Sequence, residues 1–240
     1  MTLKEGELHI WRYTLDEAQY QAEKVLALLS KEEQERCAEY LNEAEKIRYT
    51  CNHRFVRQVL AKYLNVEPSH ITFSKAAMGK PFIEGSELFF SYSYRTTFGL
   101  LAVSKQKEVG VDIERIKILQ DPPTFASFSF SEKERKIIFN SSEETFQDTL
   151  FTFWTFKEAI IKALGVGLNA DLTQIDLSAF LNKESNSLAF DNHAVYTMKQ
   201  IEAIENYKAA FAMKGELRAY REFNFNDLFT ETATGAEFNG

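Results

Sequence analysis

The sequence has no long apolar run and few residues of the types that mark several specialised classes of protein. Its 240 residues include two cysteines, Cys37 and Cys51, and no CxxC pair. A disulfide-stapled secreted domain or a structural zinc site would need more cysteines. No stretch approaches the ~20 apolar residues of a membrane span, and the first residues lack the cationic and apolar regions of a signal peptide. We therefore predict a soluble, cytoplasmic protein with reduced thiols and no membrane partner.

Motifs of several phosphate-handling enzymes are absent too. The sequence contains no P-loop, no GxGxxG and no kinase catalytic loop. Its net charge is −7, which disfavours nucleic acid as a partner because such binding depends on Lys and Arg neutralising phosphates. A local basic pocket for a small anion is still compatible with this charge.

The chain does have ample material for a packed core. Hydrophobic residues make up 45% of it and aromatic residues 14%, including 21 Phe, which excludes a disordered protein. A length of 240 residues suits one large domain or two small ones.

Hydrophobic periodicity and turn signals predict a mixture of helices and strands. Strands are expected over 7–13, 88–93, 99–104, 109–113, 194–201 and 207–214, and helices over 31–42, 45–64, 131–139 and 149–164. A turn is expected at 78–81, a loop at 121–123, and a polar, loosely held tail after about residue 224. Strands precede and follow helices in both parts of the chain, so the pattern predicts an α+β fold. We divide it into an N-terminal half, 1–106, and a C-terminal half, 107–240.

The first group of residues that could carry chemistry is the segment Gly110–Glu114, which reads GVDIE. Successive side chains of a strand point to opposite faces, so Asp112 and Glu114 share one face. Two carboxylates on one face repel each other unless a cation lies between them, and hard oxygen ligands are those that Mg²⁺ selects. The alternative is a half-exposed strand with two solvated acids.

The second group lies on the helix expected over 149–164. Residues four apart share a helix face, so Trp154, Glu158 and Lys162 form one stripe. Glu158 could complete a metal site with the two acids of the GVDIE segment, and Lys162 would then lie beside the anion held by the metal. The alternative is an ordinary surface Glu–Lys pair, which contributes ~0.2–0.5 kcal/mol.

Together, the two groups resemble the signature of Sfp-type 4′-phosphopantetheinyl transferases. In that signature a GVDIE-like strand is followed some forty residues later by the pattern that Trp154, Lys157, Glu158 and Lys162 form here. The resemblance extends from about Leu29 to residue 214. It includes a GKP turn at 79–81, the segment 90–94 where the family usually reads FNLSH, and a late strand at 207–214.

The resemblance implies a pseudo-twofold α+β protein of two similar halves that meet at a coenzyme A site. It implies transfer of the 4′-phosphopantetheine group of coenzyme A to a serine of an acyl or peptidyl carrier protein, with release of 3′,5′-ADP. In the resemblance, carboxylates would hold Mg²⁺, and cationic and hydroxyl side chains would bind coenzyme A. The metal ligands would be Asp112, Glu114 and Glu158, and the coenzyme A contacts Arg48, Lys80, Ser93, Tyr94 and Lys162.

Several roles stay open at this point. The carrier serine must lose a proton, and either Glu158 or a metal-bound water could accept it. Tyr94 stands where the family usually has histidine, and we expect it to line the nucleotide end of the pocket and donate to phosphate. The adjacent Arg95 would reach the site only if its strand ended or bulged there. Segment 125–130 corresponds to a region near the carrier-binding surface in the family, so Phe125 or Phe128 is expected to be partly exposed.

Two alternatives remain. One is another Mg²⁺-dependent phosphotransferase or phosphohydrolase that uses the same carboxylates. The other is a non-catalytic relative that binds coenzyme A or a carrier protein, which the departures from the family motif keep open. The sequence does not specify which carrier is served or whether free or acylated coenzyme A is preferred.

Overall fold

A computed structural model describes residues 1–15, 25–167, 170–181, 187–190, 194–202, 205–229 and 236–237. In these parts of the chain the helices are α1 Lys31–Ala38, α2 Glu43–Leu64, α3 Pro122–Ser129, α4 Glu132–Asn140, α5 Glu143–Leu164 and α6 Ser178–Leu181. The strands are β1 Glu7–Thr14, β2 Ser74–Lys75, β3 Pro81–Phe82, β4 Leu88–Arg95, β5 Phe98–Lys105, β6 Val109–Arg115, β7 Ser187–Phe190, β8 Ala194–Gln200, β9 Tyr207–Lys214, β10 Ala219–Asn224 and β11 Ala236–Glu237. The predicted α+β class is confirmed. No helix in the described ranges is long and apolar enough to cross a membrane.

Two sheets, each packed against a 22-residue helix, form the body of the fold. The first sheet has the strand order β11-β10-β1-β5-β4 and the second the order β6-β9-β8-β7. Helix α2 packs its buried Val56, Val59 and Leu60 in one core with residues of the first sheet. Helix α5 packs Phe153 and Ile160 in a second core with residues of β8 and β9. Each half therefore combines one long helix with one sheet.

A third core joins the two sheets. Leu8, Ile10 and Leu100 from the first sheet pack with Val111 and Phe211 from the second, and all five are fully buried. This packing places β4, at one edge of the first sheet, beside β6, at the edge of the second. The junction of the two strands brings the sequence motifs together.

Local capping sets where the helices begin. Ser30 and Ser131 form the expected capping boxes of α1 and α4. Helix α1 ends at Ala38 instead of reaching residue 42, because Asn42 caps the start of α2. The predicted loop at 121–123 is wrong for its last two residues, because Asp121 caps α3 and proline is tolerated in a first helical turn.

The segment near residue 224 is more ordered than the sequence suggests. Strand β10 pairs in parallel with β1, and a 3-10 turn follows at Phe225–Phe229. Leu228 of this turn is only 7% exposed and belongs to the first core. The predicted loose tail therefore does not begin at 224, and most of the chain after residue 229 lies outside the described residues. The division of the chain at 106 and 107 stays a prediction.

Gly110 lets β6 lie directly against α5. A Cβ atom at this position would overlap the carbonyl oxygen of Ala159 and the backbone nitrogen of Ala163, neither of which can rotate away. We expect Gly110→Ala to lower the free energy of unfolding by about 1–3 kcal/mol or more, because a well-packed interface must separate. Urea unfolding followed by circular dichroism measures this change. An unchanged midpoint would show that helix and strand are not in close contact there.

Candidate functional site

The site lies where β4 and β6 run side by side. Alternate residues of a strand share a face, so side chains of β4 meet β6 at regular two-residue intervals. These contacts are Ser91 Oγ accepting from Val111 N at 3.2 Å, Ser93 Oγ donating to Asp112 at 2.9 Å, and Arg95 donating to Glu114 at 2.7 and 2.8 Å. The junction thus joins the GVDIE segment to β4, although β5 lies between them in the chain.

Asp112 is almost completely buried, with 1% of its surface exposed. Its Oδ1 accepts from Ser93 Oγ at 2.9 Å and from Lys162 Nζ at 2.6 Å. Its Oδ2 is buried and has no hydrogen-bond partner among the described residues. A buried carboxylate oxygen without a donor is costly, so this atom is suited to receive an additional cation or donor.

Glu114 is held differently. Its side chain is 11% exposed and accepts two bonds from the guanidinium of Arg95. Trp154 Nε1 lies 3.4 Å from its Oε1. Arg95 reaches Glu114 as the last residue of β4, so the expected strand end does occur there. Strand β4 stays paired with β5 through Arg95, opposite Phe98, and Arg95 shares a face with the other β4 side chains at the junction.

Glu158 faces the same junction from α5. Burial raises the pKa of the Glu158 carboxyl, and the charge of Asp112 raises it further. Lys162, one turn along the helix, opposes this rise. The Oε1 atom of Glu158 is buried without a hydrogen-bond partner in the part of the chain that the structure describes. The helical stripe expected from the sequence therefore does point at the strand carboxylates.

The donor set fits a hard divalent ion in part. Asp112 Oδ2 and Glu158 Oε1 are the buried carboxylate oxygens that lack partners within the described ranges, and carboxylate oxygen is the donor that Mg²⁺ selects. Both oxygens of Glu114, however, already accept from Arg95. Among the described residues no group of three His, Cys, Asp or Glu side chains is arranged to hold a metal. Glu114 is therefore the least available of the three carboxylates for a metal ion.

A cavity of about 330 Å³ opens beside Glu158 and Lys162. The GKP turn forms one of its walls, and Phe90 and Tyr92 of β4 form another. Lys80, in this turn, donates to the carbonyl oxygens of Val109 and Ala163 at 3.0 and 3.1 Å. Burial lowers the pKa of Lys80 to about 8. The structure thus shows Lys80 fastening the turn to β6 and to the end of α5.

Tyr94 points away from the carboxylates, because it alternates with Ser93 along β4. Its ring packs, half-buried, against the core that contains α2. Burial raises the pKa of the Tyr94 hydroxyl, and the positive charges of Arg48 and Arg95 oppose the rise. Tyr94 and Arg48 therefore share one electrostatic environment on the α2 side of β4.

Sequence reasoning assigned no role to Lys157, although it lies within the helix motif. Lys157 and Glu134 are both fully buried, with Nζ 2.5 Å from Oε2. Lys157 also donates to the carbonyl oxygen of Leu172 at 2.8 Å. A lysine on a buried helix face needs a buried acidic partner, and this position of Lys157 is the signal in the sequence. No pattern in the sequence identifies which acid is the partner.

Comparison with known proteins gives consistent results. Residues 108–212 match the model of the 4′-phosphopantetheinyl transferase superfamily. The chain is 31% identical to 4′-phosphopantetheinyl transferase HetI of Nostoc sp. (strain PCC 7120) over 74% of this chain and 76% of that protein. It is 25% identical to 4′-phosphopantetheinyl transferase Sfp of Bacillus subtilis (strain 168) over 80% and 85% of the two chains. It is also 30% identical to the L-aminoadipate-semialdehyde dehydrogenase-phosphopantetheinyl transferase of Candida glabrata, over 82% and 78%.

The matched span covers both β6, with Asp112 and Glu114, and α5, with Glu158 and Lys162. The likeness to HetI extends over about three quarters of each protein, and the two groups of charged residues found in the sequence converge at one junction of the fold. This chain belongs to the 4′-phosphopantetheinyl transferase superfamily.

Proposed function

We propose that this protein transfers the 4′-phosphopantetheine group of coenzyme A to a serine of an acyl or peptidyl carrier protein and releases 3′,5′-ADP. The observation that carries the proposal is the convergence of Asp112, Glu158 and Lys162 beside the cavity, in a chain of this family. A partly exposed cation and two buried carboxylate oxygens that accept no bond from any described residue are suited to a reaction centred on a diphosphate.

Each of these side chains has a task in the transfer. Lys162 places a positive charge, 29% exposed and already held by Asp112 at 2.6 Å, where it can meet the diphosphate. Asp112 Oδ2 and Glu158 Oε1 are the oxygens that would hold Mg²⁺. When bound there, Mg²⁺ would supply neutralisation of the charge that develops on phosphate oxygens.

Coenzyme A itself would occupy the cavity beside the GKP turn. Ser93 would contact its phosphates by turning its hydroxyl, which donates to Asp112 in this structure, toward them. The nucleotide end would extend beyond the cavity to Tyr94 and Arg48, neither of which lines it. Lys80 would shape the wall beside the nucleotide through its two carbonyl contacts. Coenzyme A is an intracellular metabolite, so we propose a cytoplasmic location. Cys37 and Cys51 are both thiols rather than disulfide sulfurs, as is usual for proteins of that compartment.

Incubation with coenzyme A, Mg²⁺ and an apo carrier protein, followed by mass spectrometry of the carrier, tests the proposal. The carrier should gain one phosphopantetheine group. Coenzyme A bound without any gain in carrier mass would indicate a non-catalytic relative. Coenzyme A cleaved with the carrier unmodified would indicate a phosphohydrolase instead.

Phe128 is a candidate contact for the carrier protein. It lies on α3 and is 75% exposed, whereas Phe125 packs on Trp154 with ring centroids 4.9 Å apart. Trp154 in turn lies against Glu114, so the exposed face of α3 is close to the site. We expect Phe128→Ala to raise the KM for the carrier by about fivefold or more, which is the scale of an interface residue worth over 1 kcal/mol.

Steady-state kinetics with each substrate varied in turn measures this effect. The KM for coenzyme A should stay unchanged, because Phe128 does not line the cavity. Phe229→Ala is a suitable control, since Phe229 is also largely exposed, at 62%, but packs beside Phe225 in the first core. Equal effects of Phe128→Ala on both KM values would exclude a specific role in docking.

Tyr94 tests the nucleotide end of the pocket. We expect Tyr94→Phe to weaken coenzyme A binding by about 0.5–3 kcal/mol, the range for loss of one hydrogen bond, including one to a charged group. Because burial raises the pKa of the Tyr94 hydroxyl further above neutrality, the contribution of this hydroxyl to the affinity should vary little between pH 6 and pH 8. Isothermal titration calorimetry measures both quantities. Unchanged affinity in Tyr94→Phe would show that the ring only packs.

A further inference from the structure

Arg95 occupies both oxygens of one carboxylate of the site. Its guanidinium makes a two-pronged contact with Glu114, from Nε at 2.8 Å and Nη2 at 2.7 Å. The nearby Asp112 Oδ2 and Glu158 Oε1 are buried, and no described residue donates a hydrogen bond to either of them. Of these three carboxylates, therefore, two present an open oxygen and the third does not.

The burial of the pair is asymmetric. The Glu114 side chain is 11% exposed, whereas that of Arg95 is 53% exposed. Arg95 also borders an open hollow of about 540 Å³ that is lined by Thr96, Arg115 and Lys117 as well. The guanidinium is therefore the more exposed partner and can turn out into solvent. Glu114 would then keep Trp154 Nε1 as a neighbour, 3.4 Å from its Oε1.

A divalent ion and Arg95 cannot share Glu114 without cost. Binding of the ion through Glu114 would weaken two charge-assisted hydrogen bonds, which are the stronger kind, by withdrawing charge from the oxygens that accept them. It would also bring a double positive charge close to the guanidinium and to Lys162. A bound diphosphate lowers this cost, because its negative oxygens can accept from Arg95 and can contribute ligands to the ion.

We propose that Arg95 is a positioning residue that competes with the divalent metal for Glu114. In the protein without coenzyme A, Arg95 holds Glu114 and so weakens metal binding. When coenzyme A binds, its diphosphate draws Arg95 away from Glu114. Metal and substrate then bind cooperatively. By linkage, each raises the binding affinity of the other by the same factor. The inference rests on the proposed function, since the diphosphate is that of coenzyme A.

The test is Mn²⁺ binding to the full-length protein in the absence of coenzyme A, followed by electron paramagnetic resonance. Arg95→Gln should bind Mn²⁺ roughly tenfold more tightly than the wild type, which corresponds to about 1.4 kcal/mol. Arg115→Gln removes the same charge from an exposed neighbour on the hollow, and it should change the affinity by less than about twofold. In a Glu114→Gln background, the Arg95→Gln gain should shrink to less than about threefold. Coenzyme A should tighten Mn²⁺ binding less in Arg95→Gln than in the wild type.

Three results would overturn the inference. In the first, Arg95→Gln binds Mn²⁺ no more tightly than the wild type. In the second, Arg115→Gln gains as much Mn²⁺ affinity as Arg95→Gln. In the third, Arg95→Gln gives its full increase in Mn²⁺ affinity even in the Glu114→Gln background. If Arg95→Gln fails to fold, Arg95→Lys keeps the charge but loses the fork, and it should show a smaller gain of the same sign. These measurements involve no carrier protein. The carrier mass assay decides the proposed function separately, so failure of one can be distinguished from failure of the other.

Discussion

Asp112→Asn is expected to reduce phosphopantetheine transfer by roughly 10²–10³-fold, the scale for loss of one electrostatic contact to the reacting group. The carboxylate performs two tasks at once. Its Oδ1 holds Lys162 at 2.6 Å, and its Oδ2 is a buried oxygen that no described residue satisfies. An asparagine amide has nearly the same shape, but it carries no charge and offers only one oxygen. The measurement is the initial rate of carrier modification at saturating coenzyme A and Mg²⁺.

Asp148→Asn is a matched control. Asp148 also pairs with a lysine at 2.6 Å, through Lys208, but its side chain is 54% exposed. This substitution should leave the rate within about twofold, because neither Asp148 nor Lys208 lines the cavity. The fold of Asp112→Asn should survive, since Lys162 is 29% exposed and can reach water. A wild-type rate in Asp112→Asn would refute the assignment of the site.

Lys157→Met is expected to lower the free energy of unfolding by about 3–5 kcal/mol, the cost of leaving one charge of a buried pair without its partner. Glu134 would keep its bonds from Ser131 N at 2.7 Å and Leu177 N at 2.8 Å. It would lose the ammonium group that balances its charge within a fully buried environment. Urea unfolding at pH 7 measures the change.

Two further variants separate the charge from the packing. Combining Lys157→Met with Glu134→Gln should recover much of the loss, because no isolated charge then remains buried. Lys136→Met removes the lysine of an exposed pair in the same helix as Glu134, with side chains 68% and 73% exposed, and should cost less than about 1 kcal/mol. A double variant less stable than either single variant would contradict this account of the pair.

Much of the secondary structure could be predicted because its cause is local. Strand β9 was predicted with its observed bounds of 207–214, since its apolar residues form one run between turns. Helix α5 was predicted to begin near 149, yet it begins at Glu143 because Ser142 caps it. The first turns of α5 are mostly polar and carry no apolar period that would reveal them.

For the site, the sequence predicts which side chains of one strand or one helix share a face, but not which elements lie side by side. Strand alternation placed Asp112 and Glu114 on one face, and helical spacing aligned Glu158 with Lys162. The contact of Arg95 with Glu114 joins residues 19 apart, through the edges of two different sheets. Such pairing depends on how the sheets pack, which periodicity does not encode. The same reason explains why the partner of Lys157 was not foreseen.

The parallel pairing of β1 with β10 has a consequence for the order in which the molecule assembles. Register partners such as Glu7 and Ala219 are more than 200 residues apart, so β1 keeps one edge unpaired until residues 219–224 have been synthesised. An unpaired strand edge is a template for association with other chains. Contacts this distant in sequence also slow folding, because the loop between them must close first. The nascent chain is therefore most exposed to misassembly just before residues 219–224 leave the ribosome.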